Sequence, residues 1–93
     1  MTSEKETEIQ SPLKFPCSFP IKVMGKHEGD FEARVVAMIS GQVGPITADN
    51  VRSRASSNGR FLSVTVTVTA ESRAQLDNVY RALTASDDVL FVI

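Results

Sequence analysis

The clearest pattern in the chain runs from Arg60 to Thr69, where Leu62, Val64, Val66 and Val68 alternate with Phe61, Ser63, Thr65 and Thr67. A period of two is that of a strand with one face buried and the other open. Asn58-Gly59 lies directly before it. Both residue types tolerate positive φ, which a two-residue type I′ turn requires, so a hairpin is predicted, with its first arm from about Ile46 to Ser56. Centring the hairpin on Asn58-Gly59 sets Arg54 opposite Ser63, Arg52 opposite Thr65, Val51 opposite Val66 and Ala55 opposite Leu62. Polar then meets polar and apolar meets apolar, and a slip of one residue would mix them. Asp49 opposite Val68 fits poorly and predicts a bend or a start there.

Other segments carry the same kind of signal. Ser18 to Met24 reads as a strand with Phe19, Ile21 and Val23 on one face and Pro20, Lys22 and Met24 on the other, ended by Gly25. Asp30 to about Ser40 reads as a helix with Phe31, Val35, Met38 and Ile39 in one stripe, Asp30 as N-cap and Gly41 just beyond its end. Ser72 to about Ala85 reads as a second helix, with Leu76, Val79, Tyr80 and Leu83 as its stripe and Ser72 and Gln75 as a capping box. Val89 to Ile93 is apolar throughout and reads as the last strand. Val89, Phe91 and Ile93 are expected inward because they include the bulky Phe91, leaving Leu90 and Val92 on the open side beside Met24. The order is strand, helix, strand, strand, helix, strand. With right-handed crossovers this predicts an α+β fold of the ferredoxin-like split βαβ (βαββαβ) kind. Its four-stranded antiparallel sheet has the order 4-1-3-2, with both helices on one face.

Composition bounds the rest. A chain of 93 residues, 42% hydrophobic, is one domain with a modest core. Residues 1–14 are charge-dense and lack apolar periodicity, and they are expected to form a disordered tail ahead of a domain spanning 15–93. Ten basic and eleven acidic residues give a net charge of −1, which is no global footprint for nucleic acid or anionic membrane. The N-terminus lacks the apolar stretch of a secretory signal, no segment is long and apolar enough to span a membrane, and Cys17 has no partner for a disulfide. A cytoplasmic location is the expectation.

The residues that carry chemistry are sparse. His27 and Cys17 flank the first strand and are expected at its opposite ends, about 30 Å apart, which removes a Cys–His nucleophile. Asp87 and Asp88 are neighbours at a strand start, so their side chains diverge, and the charges on the second helix read as a solvated face. No metal, cofactor or catalytic set is expected. Gly59-Arg60-Phe61 followed by a strand echoes the RNA-recognition motif, in which aromatic side chains on a sheet stack on bases. Here Phe61 stands alone, Ser63 occupies the place of a second ring, and the first strand offers Lys22 and Met24. Arg52, Arg54 and Arg60 would hold phosphates or would guard a sheet edge against strand addition. This balance argues against nucleic acid as a partner. The last strand has no charge between Val89 and Ile93, so its edge, with Met24, Leu90 and Val92, is the expected docking place for a second copy or a protein partner.

Taken together, KVMG in the first strand, the turn SSNGRF, the strand LSVTVTVTA and the helix ending VYRAL resemble the YbeD-like family of small bacterial proteins, from about Phe15 to Ile93. The resemblance implies a ferredoxin-like fold similar to the ACT ligand-binding domain and, through that likeness, a regulatory role. It also singles out the loop from Gly25 to Phe31 as the place where ACT domains take small effectors, with Gly25, Lys26, Gly29 and Asp30 as candidate contacts. Against that, Gly29 serves a turn, and Asp30 serves as a cap and repels an anion. The expectation is a non-catalytic regulatory or interaction module taking a small effector or a protein partner, with RNA binding on the open sheet face as the alternative.

Overall fold

Two long strands, β1 (Cys17–Lys26) and β3 (Phe61–Ala70), run antiparallel at the centre of the sheet. The computed structural model describes residues 14–93. Helix α1 (Phe31–Val43) follows β1, a short 3₁₀ turn (Ala48–Asn50) leads into β2 (Val51–Ala55), and α2 (Arg73–Thr84) joins β3 to β4 (Val89–Val92). The strands are all antiparallel, in the order β2-β3-β1-β4. This is the α+β ferredoxin-like arrangement that the periodicity predicts. The tail expected over residues 1–14 lies, except for Lys14, outside the described residues.

The alternation in β1 and β3 decides where the core sits. Ile21, Val23, Leu62, Val64, Val66, Val68 and Ala70 are buried, and they meet Phe31, Val35 and Ile39 of α1 and Leu76, Val79 and Leu83 of α2. Among the described residues no polar or charged side chain is buried. A core of this kind gains its stability from apolar area, each large side chain contributing about 1.5–3 kcal/mol. It cements one face of the sheet and, among the described residues, leaves the other free of any helix.

Several boundaries differ from the sequence reading, each for a local reason. β1 continues through Gly25 to Lys26 instead of ending at Gly25. Helix α1 runs through Gly41 to Val43. Val43 packs against the core and the Gln42 carbonyl accepts from Gln75 Nε2 at 3.1 Å, which offsets the roughly 1 kcal/mol cost of an internal glycine. The helix stops at Gly44, whose φ is +92°. Asp30 does precede α1, but its carboxylate makes no capping bond. Ser72 does cap α2, accepting from Gln75 N at 3.2 Å, while Gln75 Oε1 reaches back to Glu71 N at 2.7 Å. β2 is shorter than predicted because the 3₁₀ turn absorbs Ala48 to Asn50, sparing Asp49 from facing Val68. Ala55, the apolar partner of the buried Leu62, is itself exposed, because β2 lies at the sheet edge.

The hairpin keeps the predicted register from Val51↔Val66 to Ala55↔Leu62, but by a different turn. Ser56 N donates to Phe61 O at 2.9 Å, so the loop is Ser57–Arg60, and among the described residues none other than glycine has positive φ. Asn58 acts through its side chain, Oδ1 accepting from Ser56 Oγ at 2.8 Å and Arg60 N at 3.0 Å. Only Gly59, at φ +75°, needs the left-handed region. A four-residue loop centred on the same pair preserves the parity of a two-residue one. Gly59→Val is expected to cost about 1–3 kcal/mol, read as a lower denaturation midpoint in urea. An unchanged midpoint would mean that the turn does not hold this conformation.

Candidate functional site

The four strands contain four charged residues, Lys22, Lys26, Arg52 and Arg54, and no aspartate or glutamate. Register places all four cations on the sheet face that the helices leave open. Arg52, Thr65 and Lys22 form one row across β2, β3 and β1; Arg54, Ser63 and Met24 form the next; Phe61 and Lys26 form a third. Every described carboxylate lies instead on a helix, in the 3₁₀ turn or in a loop. The charges of the sheet are thus all positive and all on its open face, while the helices and loops carry the described Asp and Glu together with Arg34, Arg60, Arg73 and Arg81, a pattern that a net charge of −1 conceals.

The apolar groups of this face come from β4. Val23 pairs with Val92 and Met24 with Phe91, but Gly25 pairs with Val89, so Leu90 is an extra residue in a β-bulge. Beyond the strand, Ile93 N donates to Lys22 O at 2.8 Å and continues the ladder. Phe91 and Ile93 thus share the open face with Met24 and Lys22. Phe91 is 48% exposed and Ile93 65% exposed, while Val89 and Val92 pack against the core. This reverses the predicted orientation: Phe91 and Ile93 face outward, Val92 faces inward, and Leu90 projects from the bulge, 49% exposed. Period-two reasoning fails here because the bulge adds one residue between the two inward valines.

Phe61 and Phe91 lie two strands and one row apart, a backbone separation of about 12 Å from ordinary strand spacing. Between them run Lys26 and Met24 of β1. A shallow cavity of about 370 Å³ opens beside them, lined by Lys22, Met24, Arg54, Ser56, Phe61 and Ser63 among others. A second, of about 340 Å³, adjoins it around Phe61, Arg60, Lys26, His27 and Glu28. His27 joins the loop after β1 to the hairpin: its N–H donates to Arg60 O at 2.8 Å, and Nδ1 lies 3.3 Å from Gly59 O. Cys17 is at the other end of β1, as expected.

The loop from Gly25 to Phe31 has a different character. A Cβ on Gly25 would collide with the Phe31 ring and with the Asp88 carbonyl, so this glycine serves close packing. Gly29 has φ +57° and turns the chain toward Asp30. Lys26 belongs by register to the open face. The cavity at this end is lined by Glu28, Asp87, Asp88 and Leu90, together with Lys26 and with Arg34, which pairs with Asp88 at 2.8 Å. Carboxylates thus surround the start of α1, a setting unfavourable to an anionic ligand. Among the described residues no three His, Cys, Asp or Glu side chains lie together as a metal site would require. The half-buried Tyr80, whose phenol burial pushes above its usual value near 10, sits on α2 in the helix layer, away from the sheet's open face.

Residues 10–93 match the family described as "Protein of unknown function (DUF493)". The chain belongs to this family. Its DUF493 relatives include a "UPF0250 protein" of Paraburkholderia phymatum, 45% identical over 84 residues that cover 90% of this chain and 94% of that one. Another, from Neisseria meningitidis serogroup B, is 39% identical over 93 residues and covers both chains in full. This is the YbeD-like family that the motifs resemble. The solution structure of protein HP0495 from H. pylori superposes with a TM-score of 0.76 over all of this chain and 94% of that one, at 14% identity, and supports the fold. No helix among the described residues is long and apolar enough to cross a membrane.

Of the residues singled out from sequence, Met24, Arg52, Arg54 and Phe61 come together on the open face. Gly25 and Lys26 end β1, Gly29 and Asp30 lie in the loop after it, Leu90 stands at the edge, and Val92 turns to the core. The sequence reading missed Phe91 and Ile93. It also passed over a signal that was available: no strand carries a carboxylate.

Proposed function

We propose that the protein is a non-catalytic interaction module whose working surface is the open face of its sheet and whose partner is anionic there. The observation that supports this is the exclusive gathering of Lys22, Lys26, Arg52 and Arg54 on one uncovered face that lacks acidic residues. Protection of the edge strand β2 accounts for Arg52 and Arg54, but Lys22 and Lys26 lie on the central strand β1 and need another reason. An anionic partner gives one. The effector loop of the ACT comparison draws less support, because carboxylates ring it and packing accounts for its Gly25.

The test is retention on immobilised heparin near pH 7 and about 50 mM salt. A chain of net charge −1 should pass through unless a local cationic face engages the polyanion. The wild type is expected to be retained, and the double variant Arg52→Ser, Arg54→Ser to elute at clearly lower salt with an unchanged circular dichroism spectrum. Flow-through of the wild type would overturn the reading.

A further inference from the structure

The geometry points to single-stranded nucleic acid as the partner of this face, an inference that rests on the open-face reading above. A cationic surface by itself suits any polyanion. The second requirement is a platform for bases, and β4 supplies it. The bulge at Leu90 turns Phe91 onto the same face as Phe61, with Phe91 48% exposed and Lys26 and Met24 between the two rings. Aromatic residues whose backbones lie about 12 Å apart on one sheet face suit bases splayed from a single strand, where each base offers a π-face to stack on. Lys22, Arg52 and Arg54 lie in the adjoining rows, where a strand crossing the sheet would carry its phosphates.

An acidic peptide would satisfy the cations but would leave the two phenylalanines without a stacking partner. A duplex would hide its bases and present only phosphates. No strand contributes an acidic side chain to the crossing, and the carboxylate that comes near it, Glu28, lies at the Phe61 end beside Lys26 and Arg60. On β3 the face presents Ser63, Thr65, Thr67 and Thr69, hydroxyls that both donate and accept. The surface thus combines charge for the backbone, rings for the bases and hydroxyls for base edges or a 2′-hydroxyl.

Fluorescence anisotropy with a labelled oligouridylate of about eight nucleotides tests this. The wild type is expected to bind, and its affinity to fall about 50-fold between 50 and 200 mM salt if all four cations meet phosphates. Arg52→Ser with Arg54→Ser should reduce that fall to about sevenfold, because two contacts are gone. Phe91→Ala and Phe61→Ala should each weaken binding by about fivefold or more while leaving the salt slope unchanged. Circular dichroism and thermal melting of the same preparations report folding, and Phe91, being half exposed, is the variant expected to melt like the wild type. Three results would overturn the proposal: no binding at about 50 mM salt, a duplex of the same length bound as tightly as the single strand, or indifference to Phe91→Ala. Polyglutamate competing as well as the oligonucleotide, with the phenylalanine variants unaffected, would replace nucleic acid by an acidic peptide. If heparin retention persists while the oligonucleotide fails, this inference falls and the open-face module stands. If both fail, the reading beneath it falls as well.

Discussion

Phe31→Ala should leave much of the chain unfolded at room temperature. Phe31 is the first residue of α1 and only 1% exposed, and its ring lies directly against the backbone of Gly25 in β1. Truncating a buried phenylalanine costs about 3–5 kcal/mol, from lost transfer energy and from the cavity left behind. A domain of this size has on the order of 5 kcal/mol in total. The ring joins two layers at the point where the chain passes from sheet to helix, so neighbouring side chains cannot easily close over the gap. Urea denaturation should show the native baseline shortened or absent. A midpoint within experimental error of the wild type would show that the ring is not part of the core.

Gly25→Ala should be nearly as damaging, although it adds only one methyl group. The added Cβ meets the Phe31 ring on one side and the Asp88 carbonyl on the other, and the second obstacle is backbone, which cannot rotate away. Overpacking of this kind typically costs about 1–3 kcal/mol, and the paired obstacles place it at the upper end, a fall of about 10–20 °C in melting temperature for a domain this size. The two sites should also couple. In a Phe31→Leu background the smaller side chain removes one obstacle, so the cost of Gly25→Ala should shrink while the Asp88 share remains. Strict additivity of the two substitutions would show that the ring and the glycine do not touch.

These two residues also show what a sequence reveals and what it withholds. Phe31 was legible as the head of the α1 stripe, because helical periodicity is local. Gly25 was legible only as a strand end or as part of an effector loop. Its actual role depends on a ring six residues further on and a carbonyl from the far end of the chain. The hairpin register was legible because alternation in β3 and the Asn58-Gly59 pair agree, and it survived an incorrect turn type since both turns share one centre. β4 was legible as a strand but not in its facing. An unbroken apolar run has no internal phase, and the Leu90 bulge then shifts whatever phase is assumed. The open face was half legible for the same reason. Its cations follow from the registers of β1 and β2, whereas its second ring depends on that bulge.

The separation of charge between the two sides of the molecule has a consequence for how it moves. A body with a cationic sheet face and a helix side on which Arg34, Arg73 and Arg81 offset only part of the carboxylate charge is a modest electric dipole, and a polyanion exerts a torque on it before contact. Encounters would begin with the sheet already turned toward the partner, which speeds productive docking without strengthening the complex once formed. At physiological ionic strength fields fade over about 8 Å, less than the thickness of a helix layer packed on a sheet. A partner at the sheet would therefore sense the nearby lysines and arginines and little of the acidic side behind them. In dilute salt that screening relaxes, the acidic side becomes perceptible, and the same dipole would favour head-to-tail alignment of copies with one another.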